Sequence, residues 1–320
     1  MLLRIETDAA IREDLLSIET LIPLCNNPCL SQIVSKTFGW ETVELVIVNK
    51  SGRTATVHGN LVGRKVVLLP HFSYGPSLSA AIAEQSIMVI KQRGYSCEWR
   101  LTAQASQYCI TSKVSSIIRL SPTEQSQFEK FDSNLRRKIR KCNSNGIKVR
   151  SGSAELLDDF YRVYSRRMHQ LGSPVLAKSW FSNLLQYYKN GEASIWCAYF
   201  EDQPAGAAFV LGYQGFYEAC WFATLKQYNR LYVAYGLTWA MLRHAIKHSG
   251  SIFSLGRSSL GSSVHYYKQQ WGIEDVPLYW NLSHSPGTSL KSFTFISRLW
   301  KLIPYTIATK AGPWFAAKIY

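Results

Sequence analysis

The feature that most constrains this sequence is an order of elements that occurs twice. In the second half, three strand-like runs, Ser194–Phe200, Ala205–Tyr213 and Phe216–Thr224, are separated only by the turns Glu201-Asp202-Gln203-Pro204 and Gln214-Gly215. That spacing predicts an antiparallel meander. A helix over about Tyr235 to His248, a strand Ser251–Leu255, a short helix around Ser263–Trp271 and a strand near Val276–Leu282 complete the unit. Two helices precede the meander. The first runs from Ala154 to about Gln170, capped by Ser153, with Leu156, Phe160, Val163 and Tyr164 as its apolar stripe and Asp158 and Arg162 spaced as an i,i+4 pair; Gly172 and Pro174 stop it. The second runs from about Ser179 to Lys189 with Trp180, Phe181, Leu184, Leu185 and Tyr188 on one face.

The first half repeats the pattern. Trp40–Asn49 and Thr54–Leu61 make a hairpin across Lys50-Ser51-Gly52-Arg53, Lys65–Leu69 adds a strand, and a helix from about Ser77 to Gln92 ends at Gly94 before a strand Tyr95–Arg100. The repeat predicts two mixed α/β units, residues 1–145 and 146–320, joined around residues 120–150.

Charge narrows the partners. Thirty-six Lys and Arg oppose twenty-one Asp and Glu in 320 residues, a formal charge of +15, which favours nucleic acid, phosphorylated metabolites or an anionic membrane face. The densest cluster is Arg136-Arg137-Lys138-Ile139-Arg140-Lys141. It reads as a helix C-terminus before the turn Asn143–Gly146, either a solvated helix face or a phosphate contact. No run approaches the roughly 18 apolar residues of a spanning helix. The start, Met-Leu-Leu-Arg-Ile-Glu-Thr-Asp, turns acidic too soon for a secretory leader. Seven scattered cysteines, an odd number, fit a reduced compartment. A cytoplasmic monomer is expected.

Several chemistries lack support. Cys25-Asn-Asn-Pro-Cys29 has no second cysteine pair at zinc-site spacing, and His244 and His248 stand at i,i+4 without the glutamate of HExxH. There is no G-x-S-x-G, no G-x-x-x-x-G-K-[ST] and no G-x-G-x-x-G, so covalent catalysis, ATP hydrolysis and dinucleotide binding have no sequence basis.

What remains is Leu255-Gly256-Arg257-Ser258-Ser259-Leu260-Gly261 followed by His265-Tyr266-Tyr267-Lys268-Gln269-Gln270-Trp271-Gly272. Donors at a strand-to-helix junction suit a phosphate or carboxylate. Phe253-Ser-Leu-Gly-Arg257-Ser258 and Tyr267-Lys268-Gln-Gln-Trp271-Gly272 resemble the F-G-R-S…F-K-x-x-W-G signature of FemAB-related proteins, in particular those associated with exosortase and PEP-CTERM exopolysaccharide systems. Pro70-His-Phe-Ser-Tyr74-Gly75-Pro76 is similar to the family's P-x-x-x-Y-G-G, with Pro76 in place of the second glycine. Asn134–Lys141 is similar to its N-x-R-x-x-I-R-K helix. Tyr217-Glu218…Trp221 and Trp300–Pro313 also look alike, so the resemblance spans nearly the whole chain.

The resemblance implies tandem GNAT-like domains (the acyl-CoA N-acyltransferase fold) and direct transfer of an acyl or aminoacyl group to an amine of a cell-envelope or exopolysaccharide precursor, in the peptidoglycan branch a nucleotide- or lipid-linked muropeptide. The donor would be an acyl-CoA or an aminoacyl-tRNA, with no resident cofactor or metal. Lys268 takes the electrostatic role at the donor phosphate or reacting carbonyl. Arg257 and Ser258 position anionic parts of a substrate, and Tyr266 and Tyr74 line the substrate cleft. Glu218, a carboxylate in the apolar strand Phe216–Phe222, is either a general base with a raised pKa or a structural partner of an arginine. Asn229–Gly236 occupies the pyrophosphate-loop position with Arg230 but without G-x-G, which weakens an acetyl-CoA reading. Arg136, Arg137, Arg140 and Lys141 would then serve a tRNA stem or an acceptor pyrophosphate.

Two alternatives stay open: a non-catalytic RNA- or DNA-binding module using residues 136–141, and a degenerate transferase fold kept as a scaffold. The segment Phe293–Tyr320 mixes aromatic and aliphatic residues with Arg298, Lys301, Lys310 and Lys318. It either lies on an anionic membrane surface or packs back on the domain, with Pro304 and Pro313 interrupting any long helix.

Overall fold

The computed structural model describes residues 1–7, 24–49, 52, 54–285 and 297–317. Its elements are β1 (Leu2–Thr7), α1 (Cys29–Phe38), β2 (Glu41–Asn49), β3 (Thr54–Val62), β4 (Lys65–Val67), α2 (Ala80–Gln92), β5 (Ser96–Leu101), β6 (Tyr108–Arg119), α3 (Glu124–Lys130) and α4 (Ser133–Ser144). There follow β7 (Lys148–Gly152), α5 (Leu157–Leu171), α6 (Lys178–Tyr187), β8 (Glu192–Phe200), β9 (Gln203–Tyr213), β10 (Phe216–Thr224), α7 (Val233–Lys247), β11 (Ile252–Ser259), α8 (Ser263–Gln269), β12 (Glu274–Leu282) and a C-terminal helix (Tyr305–Ala316).

All twelve strands form one sheet in the order β1-β2-β3-β4-β5-β12-β6-β11-β10-β9-β8-β7. The repeat is present as β2-β3-β4-α2-β5 and β8-β9-β10-α7-β11. In both copies the last meander strand pairs parallel with the strand after the helix, β4 with β5 and β10 with β11. The sheet runs through both halves: β6 lies between β12 and β11, and β12 pairs antiparallel with both β5 and β6.

Local chemistry explains the turns and caps. Glu201 and Asp202 both adopt positive φ, as do Gln214 and Gly215; two consecutive positive-φ residues give the mirror-image turn that matches strand twist. Ser79, Thr123, Asp132 and Ser262 cap α2, α3, α4 and α8 by accepting backbone N–H groups.

Three local expectations are corrected. Ser153 makes no side-chain cap; the chain passes through a 3-10 turn at Ala154–Leu156, and α5 starts at Leu157. Asp158 pairs with Lys178 instead, while Arg162 reaches Asp159 at 3.7 Å. Pro304 stops a short helical segment at 297–302, but Pro313 lies inside the C-terminal helix. Lys50, Ser51 and Arg53 of the first hairpin turn, and residues 293–296 and 318–320 of the C-terminal segment, lie outside the described residues.

The second half has a core on each face of the sheet. Phe160, Trp180, Phe181, Phe209 and Trp221 pack under α5 and α6, with Leu30 and Ile33 of α1 joining them from the first half. Leu135, Ile139, Leu237, Met241 and Trp271 pack under α4, α7 and α8 on the other face. A third core under α2 includes Ile82, Ile87 and Trp99. Burial of this much apolar surface is the dominant stabilising term.

Candidate active site

The site begins with a failure of pairing. β10 and β11 are parallel and register at only three positions, Phe216↔Ile252, Tyr217↔Phe253 and Glu218↔Ser254. Beyond them the strands part. An irregularity between Ala219 and Trp221 shifts β10 against β9, and another between Ser254 and Arg257 shifts β11 against β6. Gly256 sits in the second one at φ +74°, a conformation in which an L side chain is strained. Backbone groups released by the split need other partners. Gly256 N–H donates to Ser254 Oγ at 3.0 Å, and Lys268 Nζ donates to the Gly256 carbonyl at 2.6 Å.

Glu218 is the last residue of β10 paired with β11 and is 1% exposed. Tyr74 O–H donates to its Oε2 at 2.7 Å and Ser73 O–H to its Oε1 at 3.3 Å. Burial raises its pKa above the ordinary carboxylate value, while Tyr74, Ser254, the Lys268 charge and Ser73 pull it back down. Tyr74 is itself pushed well above the usual phenol range by burial and by the Glu218 charge, so it stays a donor. The segment carrying Ser73 and Tyr74 follows β4 and is held from both sides: Leu69 and His71 adopt positive φ, and Gly75 N–H donates to the Arg100 carbonyl at 2.6 Å.

Lys268 reaches the split from the other face of the sheet. It is 4% exposed on α8, whose first turn is fixed by the Ser262 cap and by a 2.7 Å contact between His265 Nε2 and Asp275 Oδ2. Burial lowers the Lys268 pKa to about 8, against the opposing pull of Glu218 and Asp275. The carboxyl and the amine therefore stabilise each other's charge across the gap between two strands.

Arg257 lies on the Glu218 side. Its guanidinium carbon is 5.0 Å from the Trp280 ring centre, and that of Arg100 is 4.6 Å from the same ring. Arg100 is tied down by the Phe72 carbonyl at 2.9 Å and Glu98 at 3.4 Å. Arg257 Nη1 and Trp280 Nε1 are both sealed from solvent without a hydrogen-bond partner among the described residues. Burial, then repulsion from Arg100, lowers the Arg257 pKa to about 10. Two guanidiniums crowding one ring, with Arg257 Nη1 and Trp280 Nε1 unpartnered among the described residues, form an environment for an anionic oxygen. Ser258 is buried with its hydroxyl also unpartnered among the described residues; alternation along β11 turns it to the opposite face.

The structure thus gathers Lys268, Glu218, Tyr74 and Arg257, largely buried, around the point where β10 and β11 part. It does not bring Tyr266 there: that ring is exposed, and its neighbour Tyr267 turns inward to Thr238 Oγ1 and the Ala234 carbonyl. Arg137, Arg140 and Arg230 are exposed away from Glu218. Arg137 donates to Asn134 at 2.8 Å and Arg140 covers the Phe128 ring. From the same helix Lys138 reaches Gln270 Oε1 at 2.5 Å and Tyr235 O–H at 3.4 Å, tying α4 to the start of α7 and the end of α8. Ser73, Ser254, Arg100 and Trp280 join this group. Ser73 and Ser254 lie inside the quoted motifs without being singled out there, and Arg100 and Trp280 carried no motif signal.

Elsewhere, the seven cysteines are all free. His244 Nε2 contacts Glu192 Oε1 at 2.7 Å, and His248 Nδ1 contacts the His244 carbonyl. Among the described residues no group of three or more His, Cys, Asp or Glu side chains is placed to hold a metal ion.

Residues 129–269, which include α4, the second meander, α7, β11 and Lys268, match the family model described as an acetyltransferase (GNAT) domain. That stretch, a little under half of the chain, resembles a GNAT domain. No curated protein matches it in sequence. Among solved structures, FemX aligns with a TM-score of 0.57 at 10% identity, over 84% of this chain and 93% of that one. A conserved protein of unknown function from Bacteroides thetaiotaomicron aligns at 0.55 and 9% identity, over 86% and 97%. L-PGS from Bacillus licheniformis aligns at 0.50 and 11%, over 81% and 89%. These likenesses establish a mixed α/β fold of GNAT type, built on one twelve-stranded sheet and shared with FemX.

Proposed function

We propose that this GNAT-fold protein transfers an activated acyl or aminoacyl group directly to an amine of a cell-envelope or exopolysaccharide precursor. The observation that carries the reading is the burial of Glu218 and Lys268, from opposite faces of the sheet, beside the point where β10 and β11 part, Lys268 being bonded to the Gly256 carbonyl there. A split between parallel strands gives a donor chain access to backbone groups, and a buried carboxylate beside it suits deprotonation of an incoming amine.

The chemistry balances without a covalent enzyme intermediate. The acceptor nitrogen attacks the acyl carbon and its proton passes to Glu218; the bond to the sulfur or ribose oxygen of the donor breaks, and that departing atom takes up the proton, which returns Glu218 to its carboxylate form. Tyr74 and Ser73 keep Glu218 oriented. Lys268 supplies positive charge as the carbonyl oxygen becomes an oxyanion, in a site where low water content strengthens the attraction. Arg257, with Trp280 and Arg100, holds an anionic oxygen of the acceptor on the Glu218 side.

The donor is an acyl-CoA or an aminoacyl-tRNA, with the exposed Arg137, Arg140 and Arg230 available to its phosphates. Ser258 and Tyr266 are assigned no contact with the reacting atoms. The two sequence units, 1–145 and 146–320, contribute Tyr74 and Glu218 respectively, and the protein acts as a cytoplasmic monomer. The PEP-CTERM association rests on the motif resemblance alone.

Exposed arginines on α4 also favour a second reading, in which that helix binds nucleic acid without catalysis. The transferase is preferred because burying a carboxyl and an ammonium is expensive, and a binding module gains nothing from it. Incubating the protein with acyl-CoAs, charged tRNA and nucleotide-linked amines, and weighing the acceptor by mass spectrometry, tests the choice. An acylated acceptor that disappears in Lys268→Met supports transfer. Salt-sensitive tRNA binding with no acylation by any donor overturns it.

A further inference from the structure

Asp275 is the last acidic residue of the chain. The 45 residues after it carry Lys291, Arg298, Lys301, Lys310 and Lys318 and no carboxylate side chain. The described part of this stretch is also where apolar surface is exposed. Of the eleven large hydrophobic residues exposed among the described residues, five are Leu299, Leu302, Ile307, Trp314 and Phe315; Leu171, whose carbonyl accepts a bond from Ser297, is a sixth beside them.

The exposure does not come from a loose terminus. Tyr305 O–H lies 2.8 Å from Ser165 Oγ, and His169 Nε2 lies 2.8 Å from the Ile303 carbonyl. Trp300 is buried with its ring edge-on to Phe315. Ala308, Gly312 and Ala316 form the inner face of the C-terminal helix, so close that a side chain at Gly312 would meet Val175. Ile307, Lys310 and Trp314, spaced i, i+3 and i+7, form the outer face. Leu302 is 79% exposed, Trp314 59% and Ile307 56%. Arg298 and Lys301 project beside Leu299 and Leu302.

We propose that this outer face docks on a bilayer surface containing anionic lipid. Two copies of the face brought together would set cation against cation, with no carboxylate from this segment to neutralise them, so self-association is disfavoured. An anionic lipid surface answers both features. Its acyl boundary takes up the leucines, the isoleucine and the indole, while the long Lys and Arg side chains lie along the apolar face and reach the headgroup phosphates. Among the described residues no helix is long and apolar enough to cross a membrane, so the contact is peripheral. The proposal is independent of the chemistry at Glu218.

The test is co-sedimentation of the full chain with vesicles of phosphatidylglycerol and, separately, of phosphatidylcholine. The protein is expected to pellet with phosphatidylglycerol, to be released as salt rises, and to stay in solution with phosphatidylcholine. Leu302→Ser combined with Trp314→Ser should weaken partitioning by about tenfold or more, and Lys301→Glu with Lys310→Glu should weaken it similarly. Melting curves confirm that these exposed substitutions leave the fold intact. Failure to pellet with phosphatidylglycerol, pelleting that neither pair of substitutions changes, or a dimer that Leu302→Ser dissolves would each overturn the proposal.

Discussion

The Tyr74 hydroxyl donates a 2.7 Å hydrogen bond to Glu218 Oε2, joining residues 144 positions apart in the chain. Burial favours the protonated carboxyl, whereas a donor favours the carboxylate. The bond therefore tunes a buried acid toward the form that can accept a proton.

Tyr74→Phe removes that donor and little else. The Glu218 pKa, already raised by burial, should rise further, so the acidic limb of the kcat/KM profile should move upward by about one pH unit. Rates well above the limb should change much less. A profile that keeps its acidic limb would separate Tyr74 from proton transfer.

Lys268→Met should lower transfer by about a hundredfold or more without unfolding the protein. Burial holds the folded pKa at about 8 against 10.5. Between those values the unfolded chain binds more protons than the folded one, so Lys268 makes stability rise with pH across that window. At pH 7 its burial costs about 3 kcal/mol, roughly offset by the bond to Gly256. The variant should therefore be about as stable as the parent at pH 7 and lack the rise between pH 8 and pH 10. Urea titrations across that range measure the slope. Full transfer by the folded variant would remove Lys268 from the mechanism.

Arg257→Gln should act mainly on acceptor binding. Its Nη1 beside Trp280, without a partner among the described residues, offers a charge-assisted bond to the acceptor, whose loss should raise KM by about tenfold or more with kcat changed much less. Steady-state kinetics with the acceptor varied separate the two parameters. An effect confined to kcat would place Arg257 at the reacting carbonyl instead.

Gly236→Ala tests how α4 rests on α7. An added methyl there would run into Cys142 Sγ, and overpacking of this kind costs about 1–3 kcal/mol. Cys142→Ala in the same chain should recover part of the loss. Thermal melts of the two single variants and the double variant form the cycle, and strictly additive losses would show that the two residues do not press on each other.

Where local signals agreed, elements were legible in the sequence. The meander from Ser194 to Thr224 and the helix near Tyr235–His248 appear within a few residues of β8, β9, β10 and α7, because turn residues and periodicity pointed the same way. β6 was invisible for the opposite reason. Tyr108–Arg119 is rich in serine and threonine, and Ser115 and Ser116 are both fully buried. A strand interior to the sheet, flanked by β11 and β12, shows no inside–outside alternation to read. α1 at Cys29–Phe38 was missed behind the C-x3-C spacing.

In the motif His265–Gly272, the residue types were readable but the facing was not. Tyr266, Tyr267 and Lys268 are consecutive, and only the packing of α8 decides that the first faces solvent while the other two turn inward.

By itself the sequence determined what depends on neighbours along the chain: the repeated order of elements, the turns, the strongly basic balance and the segment carrying Lys268. The tertiary structure alone decided that β12 enters between β5 and β6, that Tyr74 of one half donates to Glu218 of the other, and that Arg100 and Arg257 share Trp280. The division has a physical cause. Propensity and periodicity act within a few residues, whereas strand order, burial and the pKa of a sealed carboxyl are set by groups that meet only when distant segments fold together.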